Sequence, residues 1–205
     1  MKETKNTNIF LEMLEGLSQA SLTRALTLQE VIDSFGTRCH SLLIIFLSIP
    51  FLQPIPLIGL STPMGVMIII VAFFQVLKKK PWVPKIWQKK EIPSKILVKT
   101  EELAKKYFGK LTNKLSRRWT FYFSSRSLII LNFFIISILA VFLALPLPVP
   151  FSNTFPAVAI FINGVGQLEE DGVLVSISYM IFLVTLIFFS AIWLGASFGA
   201  DAVAR

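Results

Sequence analysis

The feature that most constrains this chain is a proline-broken hydrophobic block that occurs twice. The first copy reads Pro54-Ile55-Pro56-Leu57-Ile58-Gly59-Leu60-Ser61-Thr62-Pro63 and continues through apolar residues to Phe74-Gln75. The second reads Pro146-Leu147-Pro148-Val149-Pro150-Phe151-Ser152-Asn153-Thr154-Phe155-Pro156 and continues to Gly166-Gln167. A constant offset of 92 residues lays Pro54 on Pro146, Pro56 on Pro148, Thr62 on Thr154 and Gln75 on Gln167. Proline removes a backbone donor and clashes with the preceding turn, so each hydrophobic helix is broken in mid-course. In hydrocarbon such a break is tolerated only where protein or a water-filled cavity takes up the freed carbonyls. Paired interrupted segments point to a binding site at a repeat interface.

The composition, 54 % hydrophobic with mean hydropathy +0.70 and 19 Phe, excludes an ordinary soluble domain. Spanning the hydrocarbon takes roughly 20 helical residues, so the stretches 56–77, 127–147 and 173–198 can each cross. The segments 41–53 and 149–166 either span by extension or dip in and return. The predicted fold is therefore an all-α integral membrane protein: two repeated proline-broken helical hairpins plus a C-terminal transmembrane helix. Residues 1–8 are polar and no apolar run precedes residue 41, which does not read as a secretory signal. With one Cys (Cys39) and one His (His40), no four-ligand zinc site and no intrachain disulfide is expected, and no cofactor is called for.

Charge sets the orientation. Between Lys78 and Arg118 lie 14 Lys and Arg against Glu91, Glu101 and Glu102. A basic loop between hydrophobic segments reads as cytoplasmic. The chain thus divides into N-terminal amphipathic cytoplasmic helices (1–40), a first membrane repeat (41–77), a basic loop (78–120), a second repeat (121–172) and a C-terminal span (173–205). In the loop, Lys78, Lys79, Lys80, Trp82, Lys85 and Trp87 interleave cations with interfacial aromatics, a pattern for anionic lipid headgroups. The rival reading, a nucleic-acid surface, is set aside because the flanking membrane segments already explain the charge. From Ser94 onward, apolar residues such as Leu97, Leu103 and Phe108 recur at helical spacing on an amphipathic helix. In the N-terminal region Thr27-Leu28-Gln29-Glu30 has the capping-box pattern, and Gly36 ends the helix that follows.

Each half starts with Arg38 or Arg126, which favours parallel hairpins over inverted ones. Gln75 and Gln167 could line a shared axis or merely bond across helices, while Ser61, Thr62, Asn153 and Thr154 lie beside the breaks where freed backbone groups need partners. Glu169-Glu170-Asp171-Gly172 is the acidic cluster among the hydrophobic segments. It reads first as an interfacial turn, and as cation or proton handling second. The sole His has no evident partner carboxylate, and neither a phosphate loop nor an HExxH motif is present, so no catalytic residue and no enzyme are expected.

These residues resemble the ExoD family of bacterial membrane proteins, named for a role in exopolysaccharide synthesis. The resemblance covers residues 25–200. It rests on Gly36-x-Arg38, the Pro-x-Pro-x-x-Gly-x-Ser-Thr run at 54–62, Pro81-Trp82-x-Pro84, the Pro-x-Pro-x-x-x-x-Asn-Thr-x-Pro run ending at Pro156, and Glu-x-Asp-Gly ending at Gly172. Val83 stands where the family usually has Leu. The resemblance implies an inner-membrane protein linked to exopolysaccharide production or envelope physiology, with no catalytic residue to carry over. Two functional readings follow. One is a transporter or lipid-handling protein whose site lies where the two proline breaks meet, a region comprising Pro54, Pro56, Gly59, Thr62 and Gln75 with Pro146, Pro148, Asn153, Thr154 and Gln167, joined by Glu169 and Asp171. The other is a non-transporting scaffold that binds anionic lipid or an acidic partner through the basic loop. A 23 kDa chain has little room for an enclosed pathway, which makes a homodimer plausible.

Overall fold

Apolar segments that must satisfy every backbone group internally fold as helices. The computed structural model describes residues 9–36, 38–53, 59–77, 88–108, 118–145, 147, 149 and 151–203, and these are helical apart from turns and one pair of two-residue strands. The order is α1 (Ile9–Thr23), β1 (Leu26–Thr27), α2 (Leu28–Phe35), α3 (Arg38–Ser48) running into a 3-10 turn (Ile49–Phe51), and α4 (Ser61–Val76). There follow β2 (Glu91–Ile92), α5 (Ser94–Phe108), α6 (Phe121–Ser124), α7 (Arg126–Ala144), α8 (Thr154–Leu168) and α9 (Gly172–Val203).

Helix α7, at 19 residues, and the first 24 residues of α9 (Gly172–Gly195) are each long and apolar enough to cross a membrane; the bent pair α2 and α3 would make a third span. Helices α4 and α8 are apolar but shorter, at 16 and 15 residues. Within the stretch 56–77, which is long enough to cross, the described helix α4 begins at Ser61, after Gly59 takes a φ of +89°. At 1.5 Å per residue α4 is about 24 Å long. Proline sits third in both short helices, Pro63 and Pro156, where no intrahelical donor is lost.

Helix α4 packs along α7, α3 along α8, and α8 along α9. Ile44, Phe51, Ile68, Ile136, Leu139 and Ile160 are fully buried where these helices meet. Close approach is set by small residues. A Cβ on Gly65 would lie 2.6 Å from the Ala140 carbonyl oxygen on α7, and one on Gly164 would lie 2.8 Å from Ile45 Cγ1 on α3. Helices α3 and α7 therefore start at the end of the bundle where α4 and α8 finish.

At that end sits a cap. Helix α1 packs on α5, and β1 pairs antiparallel with β2 through Leu26–Ile92 and Thr27–Glu91. The sequence treated the N-terminal helices and the basic amphipathic helix as separate regions; the structure joins them into one unit around Phe10, Leu14, Leu17, Leu26 and Leu97, continuous with Ile45, Val165 and Leu168 of the bundle. The capping box forms as written: Glu30 N–H donates to Thr27 Oγ1 at 3.3 Å, and Thr27 N–H to Glu30 Oε2 at 2.8 Å. The Thr27 amide and then Arg24 hold the Glu30 carboxyl below its usual pKa. Lys105 bridges Glu101 (2.6 Å) and Glu15 (3.3 Å), tying α5 to α1, and these carboxylates, Glu101 first, raise its pKa.

Candidate functional site

A buried amide in an apolar bundle must find partners, because an unmet polar group there costs about 1–3 kcal/mol. Here the partners are other side chains. Gln75 Nε2 donates to Gln167 Oε1 at 2.7 Å and to Ser41 Oγ at 3.1 Å. Gln167 Nε2 donates to Asn163 Oδ1 at 2.6 Å, and Asn163 Nδ2 to Asn132 Oδ1 and Ser178 Oγ, both at 2.8 Å. The Tyr179 hydroxyl donates to Asn132 Oδ1 at 3.1 Å. This relay draws one or more residues from each of α3, α4, α7, α8 and α9. Its hub, Asn163, is fully buried.

The relay is open on one side. Gln75, Gln167 and Ser41 line a cavity of about 310 Å³ with Arg38, Phe123, Ile129 and Glu170. A smaller void of about 30 Å³ beneath it, lined by residues that include Asn132, Tyr122 and Tyr179, has room for a water molecule. Arg38, the first residue of α3, forms a half-buried ion pair with Glu170 on the cavity wall.

The acidic turn divides its carboxylates by job. Helix α8 ends with the Asp171 amide bonded back to the Gly166 carbonyl at 2.8 Å, which places Glu170 at the left-handed position, φ +54°. Glycine is usual there, and a side chain costs about 1–2 kcal/mol. Asp171, buried, accepts from the Val173 amide at 3.0 Å and caps the start of α9. Glu169, also buried, accepts from the Phe10 amide at 3.3 Å in the first turn of α1, fastening the cap to the bundle. Glu169 and Asp171 thus hold helix ends, and the carboxylate at the cavity is Glu170.

The remaining residues nominated from the sequence are placed elsewhere. Thr62 Oγ1 donates to the Ala144 carbonyl at 2.9 Å, and Thr154 Oγ1 to the Gln53 carbonyl at 3.2 Å. Asn153 precedes α8 with its Oδ1 buried and unbonded, as is Ser61 Oγ at the start of α4. These residues and Gly59 gather at the opposite end of the bundle. Thirteen residues of helix separate Thr62 from Gln75, about 20 Å. The nominated residues therefore form two groups, one at each end. Pro54, Pro56, Pro146, Pro148, Lys78, Lys79, Lys80, Trp82, Lys85 and Trp87 lie outside the described residues. The sequence reading missed Ser41, Asn132, Asn163, Ser178 and Tyr179. Asn163 was within reach, since it precedes Gln167 by four and so shares its helix face.

Residues 10–191 match the family described as "Exopolysaccharide synthesis, ExoD". The chain belongs to the ExoD family. It is 29 % identical to Protein ExoD of Rhizobium meliloti (strain 1021) over 182 residues, 88 % of this chain and 76 % of that protein. It is also 31 % identical over 160 residues to an uncharacterized protein, slr1875, of Synechocystis sp. (strain ATCC 27184 / PCC 6803 / Kazusa), covering 78 % of this chain and 74 % of that one. No solved structure matches. The ExoD match runs from α1 well into α9 and so takes in both the cap and the amide relay. With its spanning helices, the chain is an integral membrane protein of a family linked to exopolysaccharide synthesis.

Proposed function

We propose that this ExoD-family chain is a non-enzymatic transporter or lipid-handling protein of a bacterial inner membrane. Its two proline-broken halves are parallel repeats, and its working site is the cavity floored by Gln75 and Gln167. One observation carries the reading: residues 92 apart in sequence hydrogen-bond to each other at the floor of an open cavity where five helices meet. Equivalent residues that touch lie across a common axis. The same relation recurs at the far end, where Thr62 bonds the last residue of α7 and Thr154 bonds the segment after α3, an exchange between halves. Ser61 and Asn153, also 92 apart, match in their buried polar atoms. The parallel sense is supported by α3 and α7 starting at the same end. Helix α4 finishes and α7 starts at that end, and the positive-inside rule assigns the basic segment joining them in sequence to the cytoplasm. The cavity then opens toward the cytoplasmic side.

A packing network needs its amides only to satisfy each other, whereas this one presents Gln75 and Gln167 to an open volume. The test is restoration of exopolysaccharide output in a strain lacking the gene. Gln75→Ala and Gln167→Ala are expected to reach wild-type levels in the membrane and fail to restore output. If both restore it fully, the cavity is only packing, and the scaffold reading through the basic loop replaces this one.

A further inference from the structure

A second volume adjoins the cavity. Val76, Leu77, Ser124, Arg126, Ile129 and Ile130 line a groove of about 280 Å³ between the end of α4 and the start of α7. Ile129 lines this groove, the main cavity and the small void alike, so one side chain stands between the groove and the chamber. The groove wall is mostly apolar, and Leu77 and Ile130 are exposed on the outer surface of the bundle, the face a bilayer covers. We propose that a phosphate-headed membrane lipid enters the chamber sideways through this groove, with its phosphate on Arg126 and its acyl chain along Val76, Leu77, Ile129 and Ile130. The inference rests on the cavity reading above and names its ligand class.

Charge complementarity selects the head. Arg126 opens a 19-residue spanning helix, about 28 Å long, and so sits where hydrocarbon meets headgroups. Trp119 and Phe121, both exposed, lie just before it, as interfacial aromatics do. Arg38, which opens α3 as Arg126 opens α7, is occupied by Glu170. Arg126 is exposed and has no carboxylate partner among the described residues. A guanidinium binds phosphate through a two-pronged, charge-assisted contact, and the Ser124 hydroxyl lies on the same wall. Further in, the Arg38–Glu170 pair cancels its own charge, leaving amides and hydroxyls for the uncharged part of a polar head.

The test uses the purified full-length chain in neutral detergent, with dioctanoyl phosphatidic acid as the probe and native mass spectrometry as the readout. Dioctanoylglycerol and inorganic phosphate serve as competitors. Saturable lipid binding is expected, with neither competitor displacing it at equal concentration. Arg126→Gln should weaken binding about tenfold, the worth of one charged contact. Ile130→Trp, a change at an exposed position, should block the groove while the chain still elutes as a single species. Lipid binding unchanged in both variants overturns the proposal. So does displacement by inorganic phosphate, which would mark a plain anion site, or by dioctanoylglycerol, which would mark nonspecific apolar uptake. If no lipid binds but the Gln75 and Gln167 variants fail to restore exopolysaccharide, the cavity reading stands and the lipid proposal falls. If lipid binds through Arg126 while both glutamine variants restore output, the cavity reading is the one that fails.

Discussion

The two ends of the bundle use polar side chains in opposite ways. At the proline end, Thr62 and Thr154 donate to backbone carbonyls, Ala144 at the end of α7 and Gln53 after the 3-10 turn. Carbonyls at helix ends lack intrahelical donors, and a chain broken in hydrocarbon must supply them. At the cap end, Gln75, Gln167, Asn163 and Asn132 bond to one another, and Gln75 and Gln167 line an open cavity. Groups at the first end mend the backbone. Those at the second satisfy one another, and Gln75 and Gln167 do so at the edge of an open volume. Mutations at the proline end should therefore act on stability alone, and those at the cap end on exopolysaccharide output as well.

The largest expected effect is on packing. Gly65→Val, near the proline end, forces a side chain into the Ala140 carbonyl of α7 and Ala144 behind it. It should cost about 1–3 kcal/mol or more through overpacking and remove most of the monodisperse protein on size exclusion in detergent. Asn163→Leu comes next. It strips the relay of its hub and leaves the Gln167 donor and the Asn132 acceptor short of a partner, about 1–3 kcal/mol by thermal unfolding, with exopolysaccharide output lost as well. Thr62→Val and Thr154→Val should each cost about 0.6–1.7 kcal/mol and leave output intact. If either abolished output at wild-type stability, the division between the ends would be inverted.

The smallest effect concerns the cap. Glu30 has a folded pKa below its ordinary value of 4.5, so its contribution is complete above that value and is lost as pH falls through the folded one. Unfolding of the full chain between pH 5 and pH 3 should therefore depend less on pH in Glu30→Gln, while melting of the bundle's amide relay, which contains no carboxylate, should not change its pH dependence. An unaltered pH profile would mean that the capping box contributes nothing to holding the cap.

Several elements were legible because they rest on local chemistry. Thr27 and Glu30 form the capping box that their spacing writes, Gly36 (φ +55°) closes α2, and the acidic run before Gly172 is a turn. The 20 Å between Thr62 and Gln75 was implicit in the helical rise, yet the repeat drew the eye to one site per block rather than to two ends of a helix. The role of Glu170 was hidden. Three adjacent acids look alike in sequence, and only the turn, with Glu170 left-handed, sends its side chain to Arg38 while its neighbours cap α1 and α9.

By itself the sequence determined the helical membrane class, the 92-residue correspondence, the basic segment and the helix caps, since each follows from hydropathy or from groups within a few residues of one another. The tertiary structure alone decided that Gln75 meets Gln167, that α5 joins α1, and that an open cavity lies beside the amides. Those outcomes depend on which helices lie side by side. That choice is made by close packing at contacts such as Gly65 on α7 and Gly164 on α3, between residues far apart in the chain.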